Sequence, residues 1–500
     1  MKKKWLFGEL TVLSMLILFL LFQATTAFAS APKPPPPPPP PPPVVDGPEP
    51  GRHVDRTYAP DGKGYLEYII TDSGHKQPFL HLEGSGYEMG FQQGYLIPEK
   101  CAAVASNQFF TSIAVGNLSS VGLSKDLLLK PVVELLLGQF FGDTIEDYPG
   151  WSVTEIGIMV FKHIALLNET DIPTEYIAEM QGIAHGAQAR GVDLSYEDVL
   201  LLNVGFDAFM SAGYPIVTTT EIFSDVVDLL QLSCNAHILD GNATKYDNLY
   251  FGRDFMFGGD GFSDNPVIIE TCGDGGRNRV VNVSVAGMVG GIAAMNEKGL
   301  GIGMDMVPSA DCTPGYFGMG CLLTARWVME QADELPEAIS LIKNSKRGVS
   351  WLYAIADGQG ANRGGVSLEV SAHSSFARYM NYTKPWWYAL MPDYQKETYP
   401  DALIQTNHYI APDMNILAPT FQDGGSLSRY DGMINLLNRD YGTYDYNKAL
   451  DFINWMYDAE NQVPGDFVHQ STTLFDLTNL KMTTFAGPQF GQGATTLILK

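Results

Sequence analysis

The densest run of reactive side chains begins at Cys234 and ends at Arg253 and Asp254. The segment Cys234-Asn-Ala-His-Ile-Leu-Asp-Gly-Asn-Ala-Thr-Lys-Tyr-Asp-Asn-Leu-Tyr-Phe-Gly-Arg253 sets two apolar stretches around a polar centre between Gly241 and Asn248, which predicts a β-hairpin. With the midpoint near Thr244 and Lys245, Cys234 is expected roughly opposite Asp254, which brings Arg253 and Asp254 near the thiol. The chemistry such a group can do depends on a base. If the chain is cut between Ser233 and Cys234, the new α-amine, titrating near about 7.7–8.0, can take the proton of a thiol that titrates near about 8.5, with no histidine relay. The thiol would make the cut itself by attacking the Ser233 carbonyl, and hydrolysis of that thioester would free both ends. Arg253 would favour the thiolate. Taken bare, a cysteine in a strand is more often a small buried hydrophobe.

The elements that must hold this hairpin divide at the cysteine. From about Gly64 to Met210 the chain reads mainly helical. Gly84-Ser-Gly-Tyr-Glu-Met-Gly-Phe-Gln-Gln-Gly94 opens one helical region, Thr174 to Ala184 carries apolar residues at helical spacing, and Ser195-Tyr-Glu-Asp reads as a helix cap. After Cys234 short strands take over. Ala236 to Leu239, Asn248 to Phe255, Arg279 to Val285, Val289 to Ala294, Leu300 to Met306, Trp351 to Ala356 and Gly365 to Val370 all read as strands, with more around Leu474 to Phe485. Helices are expected at Cys321 to Ala332 and at Leu335 to Ser345, where Pro336 suits a first turn. The second half is therefore α+β or layered α/β.

Several motifs in order resemble the penicillin acyltransferase-like family of N-terminal-nucleophile hydrolases, which is related to choloylglycine hydrolases and acid ceramidases. They are the hairpin ending in Gly252-Arg253-Asp254-Phe255, the stretch Glu83 to Tyr95, Gln181-Gly-Ile-Ala-His-Gly-Ala187 with Asp198 to Asn203, Met295-Asn-Glu-Lys-Gly-Leu300, and Gln405-Thr-Asn-His408. The resemblance implies a four-layer αββα sandwich, with residues 64–233 as a helical pro-segment or α chain and 234–500 as the catalytic β chain. It implies Cys234 as nucleophile, Arg253 as the group that orients the site, and Asn407 as an oxyanion-hole donor. Relatives read Gly-Arg-Asn-x-Asp where this chain reads Gly252-Arg-Asp-Phe-Met256. The usual acid is missing, and Asp254 stands two places early, expected on the other face from position 256 unless the strand bulges. Asn296 is expected to shape a turn. Asp305 is set aside because an acid would repel an oxyanion. Arg429 reads equally as a carboxylate binder or a helix-surface charge, and His237 as a satisfied sheet histidine.

Composition bounds what remains. The 500 residues, 45% hydrophobic, suffice for one large core or two moderate ones. A net charge of −25 argues against nucleic acid and anionic membranes as partners. Lys2 to Lys4, an apolar run from about Val12 to Phe22 and Ala27-Phe-Ala29 form a signal-peptide pattern over residues 1–29, which predicts export; an uncleaved anchor is the alternative. Residues 30–63 read as a proline-rich linker, stiff over Pro34 to Pro43. Cys101, Cys234, Cys272, Cys312 and Cys321 are an odd set with no C-x-x-C pair, so at least one thiol stays free and a zinc site is not expected, and the acyl transfer that the resemblance implies needs no metal or organic cofactor. The expected activity is that of an exported zymogen acting on small N-acyl amides, its cut chains staying together as a heterodimer. A phospholipase B-like lipid hydrolase and an inactive exported binding protein are the rival readings.

Overall fold

Sixteen strands and the helices between them make up the described parts of the computed structural model, which are residues 51–105, 125–217, 233–256, 262, 264–307, 309–382, 399–415, 426–455, 469–486 and 493–499. The export signal, the proline run and the rest of the first fifty residues lie outside them. Ten strands form one sheet in the order β1 (His53–Tyr58), β2 (Tyr65–Ile70), β3 (Lys76–Gly84), β6 (Pro266–Gly273), β7 (Val280–Val285), β8 (Ala293–Asn296), β9 (Leu300–Met306), β10 (Trp351–Asp357), β11 (Gly364–Val370) and β12 (Ser375–Tyr379). Six form a second sheet in the order β13 (Ala402–Gln405), β4 (Ser233–Leu239), β5 (Tyr250–Met256), β14 (His469–Asp476), β15 (Lys481–Ala486) and β16 (Thr495–Ile498). Every pairing is antiparallel except that of β3 with β6.

The alternation of the strands decides the layers. Ile268, Val281, Val283 and Ala354 of the large sheet meet Ala236, Ile238, Phe251 and Phe475 of the small one in a core between the sheets. The opposite face of the large sheet, with Leu80, Leu82, Ile269, Ile302 and Tyr353, packs under helices that include Val153–Leu167, Thr174–Ala189 and Cys321–Gln331. The opposite face of the small sheet, with Leu239, Tyr250, Ile404 and Leu474, is covered by the helices Ser426–Asp440 and Tyr446–Ile453. Helix, sheet, sheet and helix follow one another, the expected αββα sandwich. Near-continuous burial of β5, β7, β9 and β10 fits strands covered on both faces.

The glycine-rich opening motif has a packing cause. Helix Gly86–Leu96 starts at Ser85, whose side chain accepts from the Glu88 amide while Glu88 reaches back to Ser85. A Cβ on Gly90 would lie 1.8 Å from the Glu179 carbonyl oxygen, and one on Gly94 would lie 2.0 Å from that of Ile183. The glycines let this helix touch Thr174–Ala189 backbone to backbone.

Two readings of the first half change. The linker ends before residue 63, because β1 lies inside it, and the stretch Gly64 to Gly84 supplies β2 and β3 before the helices begin. The expected pro-segment is thus helical only from Gly86, and its strands extend the sheet that carries the later half; the described residues fall in one compact unit. The predicted strand Val289 to Ala294 is confined to Ala293–Asn296. No helix among the described residues is long and apolar enough to cross a membrane.

Candidate active site

The hairpin forms, and its register decides which side chains meet the thiol. β4 and β5 pair Cys234 with Phe255, Asn235 with Asp254 and Ala236 with Arg253, one residue from the predicted register. Cys234 and Arg253 therefore share the face that looks toward the large sheet, whereas Asp254 looks the other way. The expectation that Asp254 and position 256 face opposite sides is also corrected. They are two apart on a regular strand, and the Asn235 amide nitrogen lies 3.4 Å from Asp254 Oδ2 and 3.7 Å from the Met256 sulfur. The register irregularity falls on β14, between His469 and Ser471. Thr472 of that strand donates to Asp254 Oδ1 at 3.0 Å, so Asp254 does not stand in for the missing acid beside the thiol.

A different acid occupies the thiol's surroundings. The fully buried guanidinium of Arg253 crosses the gap between the sheets and meets Asp305 of β9, Nη2 to Oδ1 3.0 Å, while also donating to the carbonyls of Met304 and Asp254. Asp305 Oδ2 accepts from Gln405 Nε2 at 2.7 Å, and Ser367 donates to Gln405 Oε1 at 2.6 Å. Asp305 is Arg253's counter-ion, so its charge is balanced rather than turned on an oxyanion. Gly303 makes the crossing possible, since a Cβ there would sit 2.5 Å from Arg253 Cδ. Burial pushes the Cys234 thiol up, and the neighbouring Arg253 guanidinium pulls the other way by charge and hydrogen bonding.

Asn407 and Arg429 complete the cluster from the other side. The Cys234 backbone N–H donates to Asn407 Oδ1 at 2.8 Å, and Asn407 Nδ2 donates to the Met306 carbonyl at 2.8 Å. Asn407 thus accepts from the nucleophile strand and donates to β9 through one of its two amide hydrogens. Arg429 is 0% exposed rather than a surface charge. Its Nε donates to Asn235 Oδ1 at 3.0 Å and its Nη2 to Asn407 Oδ1 at 2.5 Å. A sequence signal for this existed: Arg429, Tyr430, Met433, Ile434 and Leu437 are buried at helical spacing, so Arg429 lies on the inward stripe of its helix. Asn296 shapes its turn as expected, accepting from the amides of Lys298 and Leu300. Ser233 continues β4 ahead of the cysteine and pairs with Met256.

His237 is not a satisfied sheet histidine. Neither ring nitrogen has a hydrogen-bond partner among the described residues, and the ring stacks on Phe452 with centroids 4.7 Å apart. Burial holds it far below the usual imidazole range, at about 3. The unfolded chain takes up this proton below about pH 6.5 and the folded chain does not, so stability is lost as pH falls through that window. His237→Phe is expected to flatten the acid limb: between pH 7 and pH 5 the parent should lose about 2 kcal/mol more than the variant in urea unfolding. Equal losses would mean that the ring is protonated when folded.

A cysteine at the start of a strand in the small sheet of an αββα sandwich, beside a buried arginine and an asparagine, places the chain in the N-terminal-nucleophile hydrolase fold class. Residues 280–487 match the family of acyl-coenzyme A:6-aminopenicillanic acid acyl-transferase. An uncharacterized protein of Archaeoglobus fulgidus is 38% identical over 449 residues, which is 87% of this chain and 67% of that one. The chain belongs to this acyl-transferase family. The matched span contains Asp305, Asn407 and Arg429 and begins after Cys234 and Arg253. Solved structures similar in part include a Caenorhabditis elegans N-acylethanolamine-hydrolyzing acid amidase ortholog, 11% identical, TM-score 0.34, covering 49% of this chain and 93% of its own. Another is penicillin V acylase from Agrobacterium tumefaciens, 12% identical, TM-score 0.34, covering 53% and 86%.

Proposed function

We propose that the protein is an exported, self-processing amidohydrolase or acyltransferase that cuts itself between Ser233 and Cys234 and then cleaves linear N-acyl amides through a thioester on Cys234. The observation that carries the reading is the contact from Cys234 N to Asn407 Oδ1, 2.8 Å, with the Arg253 guanidinium beside the same residue's thiol. After a cut, the nitrogen now held by Asn407 is the α-amine. That amine takes the thiol proton, and the sulfur attacks the substrate carbonyl carbon. The amide C–N bond breaks as the amine leaving group receives the proton back, and the acyl group stays on sulfur until water or a second amine takes it. Asn407 holds the base and offers its second amide hydrogen to the tetrahedral oxyanion. Arg429 anchors Asn407 and Asn235 from behind. Family membership supports the acyl-transfer chemistry. The cut chains stay together because β3 and β6 pair across the cut.

Intact mass and N-terminal sequencing of the purified protein, combined with release of fatty acid from N-acyl amino acids and from phospholipids, test this reading. We expect two fragments, the second starting at Cys234, and turnover of the amides. An uncut chain that hydrolyses neither would overturn it, and turnover of phospholipid alone would replace the amide substrate with an ester.

A further inference from the structure

A second reactive cluster lies on the large sheet, at the junction of β3 with β6, two strands removed from β9. These strands run parallel and pair His81 with Glu270 and Glu83 with Cys272. The four side chains therefore project side by side from the same face, two from each strand. His81 Nδ1 lies 2.6 Å from Glu270 Oε2, and His81 Nε2 lies 3.6 Å from Glu83 Oε2. One donor atom each of His81, Glu270 and Cys272 falls within 4.8 Å of the others. Tyr65 stacks on the imidazole, centroids 4.8 Å apart and planes 15° from parallel, which fixes the ring. His81 and Glu270 are partly buried, with side-chain exposures of 16% and 13%, so an ion can enter. The nearest cation is Arg279, Nη1 to Glu270 Oε1 3.7 Å, on the carboxylate oxygen that faces away from His81.

We propose that His81, Glu270 and Cys272 form a site for a zinc-class divalent cation, with Glu83 orienting the histidine. An imidazole, a carboxylate and a thiolate are a borderline-soft donor set of the kind zinc takes. Bond lengths of roughly 2.0–2.3 Å to a tetrahedral ion set the donors roughly 3.2–3.8 Å apart. The cluster meets this by opening the His81–Glu270 contact and drawing Cys272 inward, each by about an ångström. Binding releases the thiol proton of Cys272 and the proton shared by His81 and Glu270, which the ion replaces. His81 then ligates through Nδ1 and gives Nε2–H to Glu83, the carboxylate–histidine–metal arrangement that sets tautomer and ring angle. The fourth position is left to water. Because β3 precedes Cys234 and β6 follows it, the ion would also clip together the two fragments of the processed chain, a consequence that rests on the proposed cut. The site itself does not.

The test is a cobalt titration of the metal-free full chain carrying Cys234→Ala, which removes the amine–thiol chelator that processing would create. We expect one equivalent of Co2+ to bind with a thiolate-to-cobalt charge-transfer band, and one equivalent of Zn2+ to displace it. Cys272→Ser should abolish the band, and His81→Ala or Glu270→Gln should weaken binding by about 10–100-fold or more, each with an unchanged far-ultraviolet circular dichroism spectrum. No charge-transfer band with cobalt in large excess, or a band that survives Cys272→Ser, would overturn the site. Neither result bears on whether Cys234 is cut or acylated.

Discussion

Cys234→Ala is expected to leave the purified protein as a single uncut chain and to lower amide turnover by on the order of 10⁵-fold or more, the scale seen when a nucleophile is removed from a cooperating group of residues. The fold should tolerate the change. Cys234 is buried, but its sulfur fills little volume, and the contact that fixes the residue, from its backbone nitrogen to Asn407, is kept. Cys234→Ser separates the two steps. A hydroxyl has a far higher pKa than a thiol, so the α-amine is a poorly matched base for it, and slow cutting with slower turnover is expected. Mass spectrometry over time and single-turnover release of acyl groups distinguish the outcomes. A Cys234→Ala chain that is still cut before residue 234 would show that another group makes the cut. A parent chain that stays uncut yet turns over substrate would remove the α-amine from the mechanism.

How far the sequence could be read depends on the range of the interactions involved. The hairpin Cys234–Met256 is local, and apolar stretches around a polar tip were enough to find it. The observed pairs centre between Thr244 and Lys245, where the pattern puts the tip, and residue 255 rather than 254 mirrors Cys234 across that centre, so the expected partner is one residue off. That single residue exchanges the faces, which is why Asp254 was brought to the thiol and Arg253's true partner was not. The sequence shows only the charge of Asp305, which would repel an oxyanion; the approach of the two sheets supplies Arg253, which neutralises it. Asn407 is reached through family likeness alone, and the structure places its Oδ1 against the Cys234 backbone nitrogen. β3 and β6 were missed as partners because parallel pairing joins residues nearly two hundred places apart in the chain, which no local pattern records. The same distance hides the His81–Glu270–Cys272 cluster.

The Arg253–Asp305 pair carries the second large effect, and it separates stability from reactivity. Both side chains have 0% exposure, so removing one partner strands a buried charge, and Asp305→Ala is expected to cost about 3–5 kcal/mol. Replacing both with apolar residues of similar volume, as in Arg253→Met with Asp305→Leu, should return most of that stability, because the pair's attraction and its desolvation cost nearly offset. The thiol responds differently. Asp305 raises the Cys234 pKa and Arg253 lowers it, so Asp305→Asn leaves the arginine's charge to act on sulfur undiluted. The thiol should then titrate lower than in the parent, whereas Arg253→Met should push it higher. Alkylation of Cys234 followed by mass spectrometry across pH reads this directly. Opposite shifts in the two variants mean that the ion pair sets the nucleophile's charge as well as holding the sheets together. Loss of stability with an unmoved alkylation profile would confine the pair to packing.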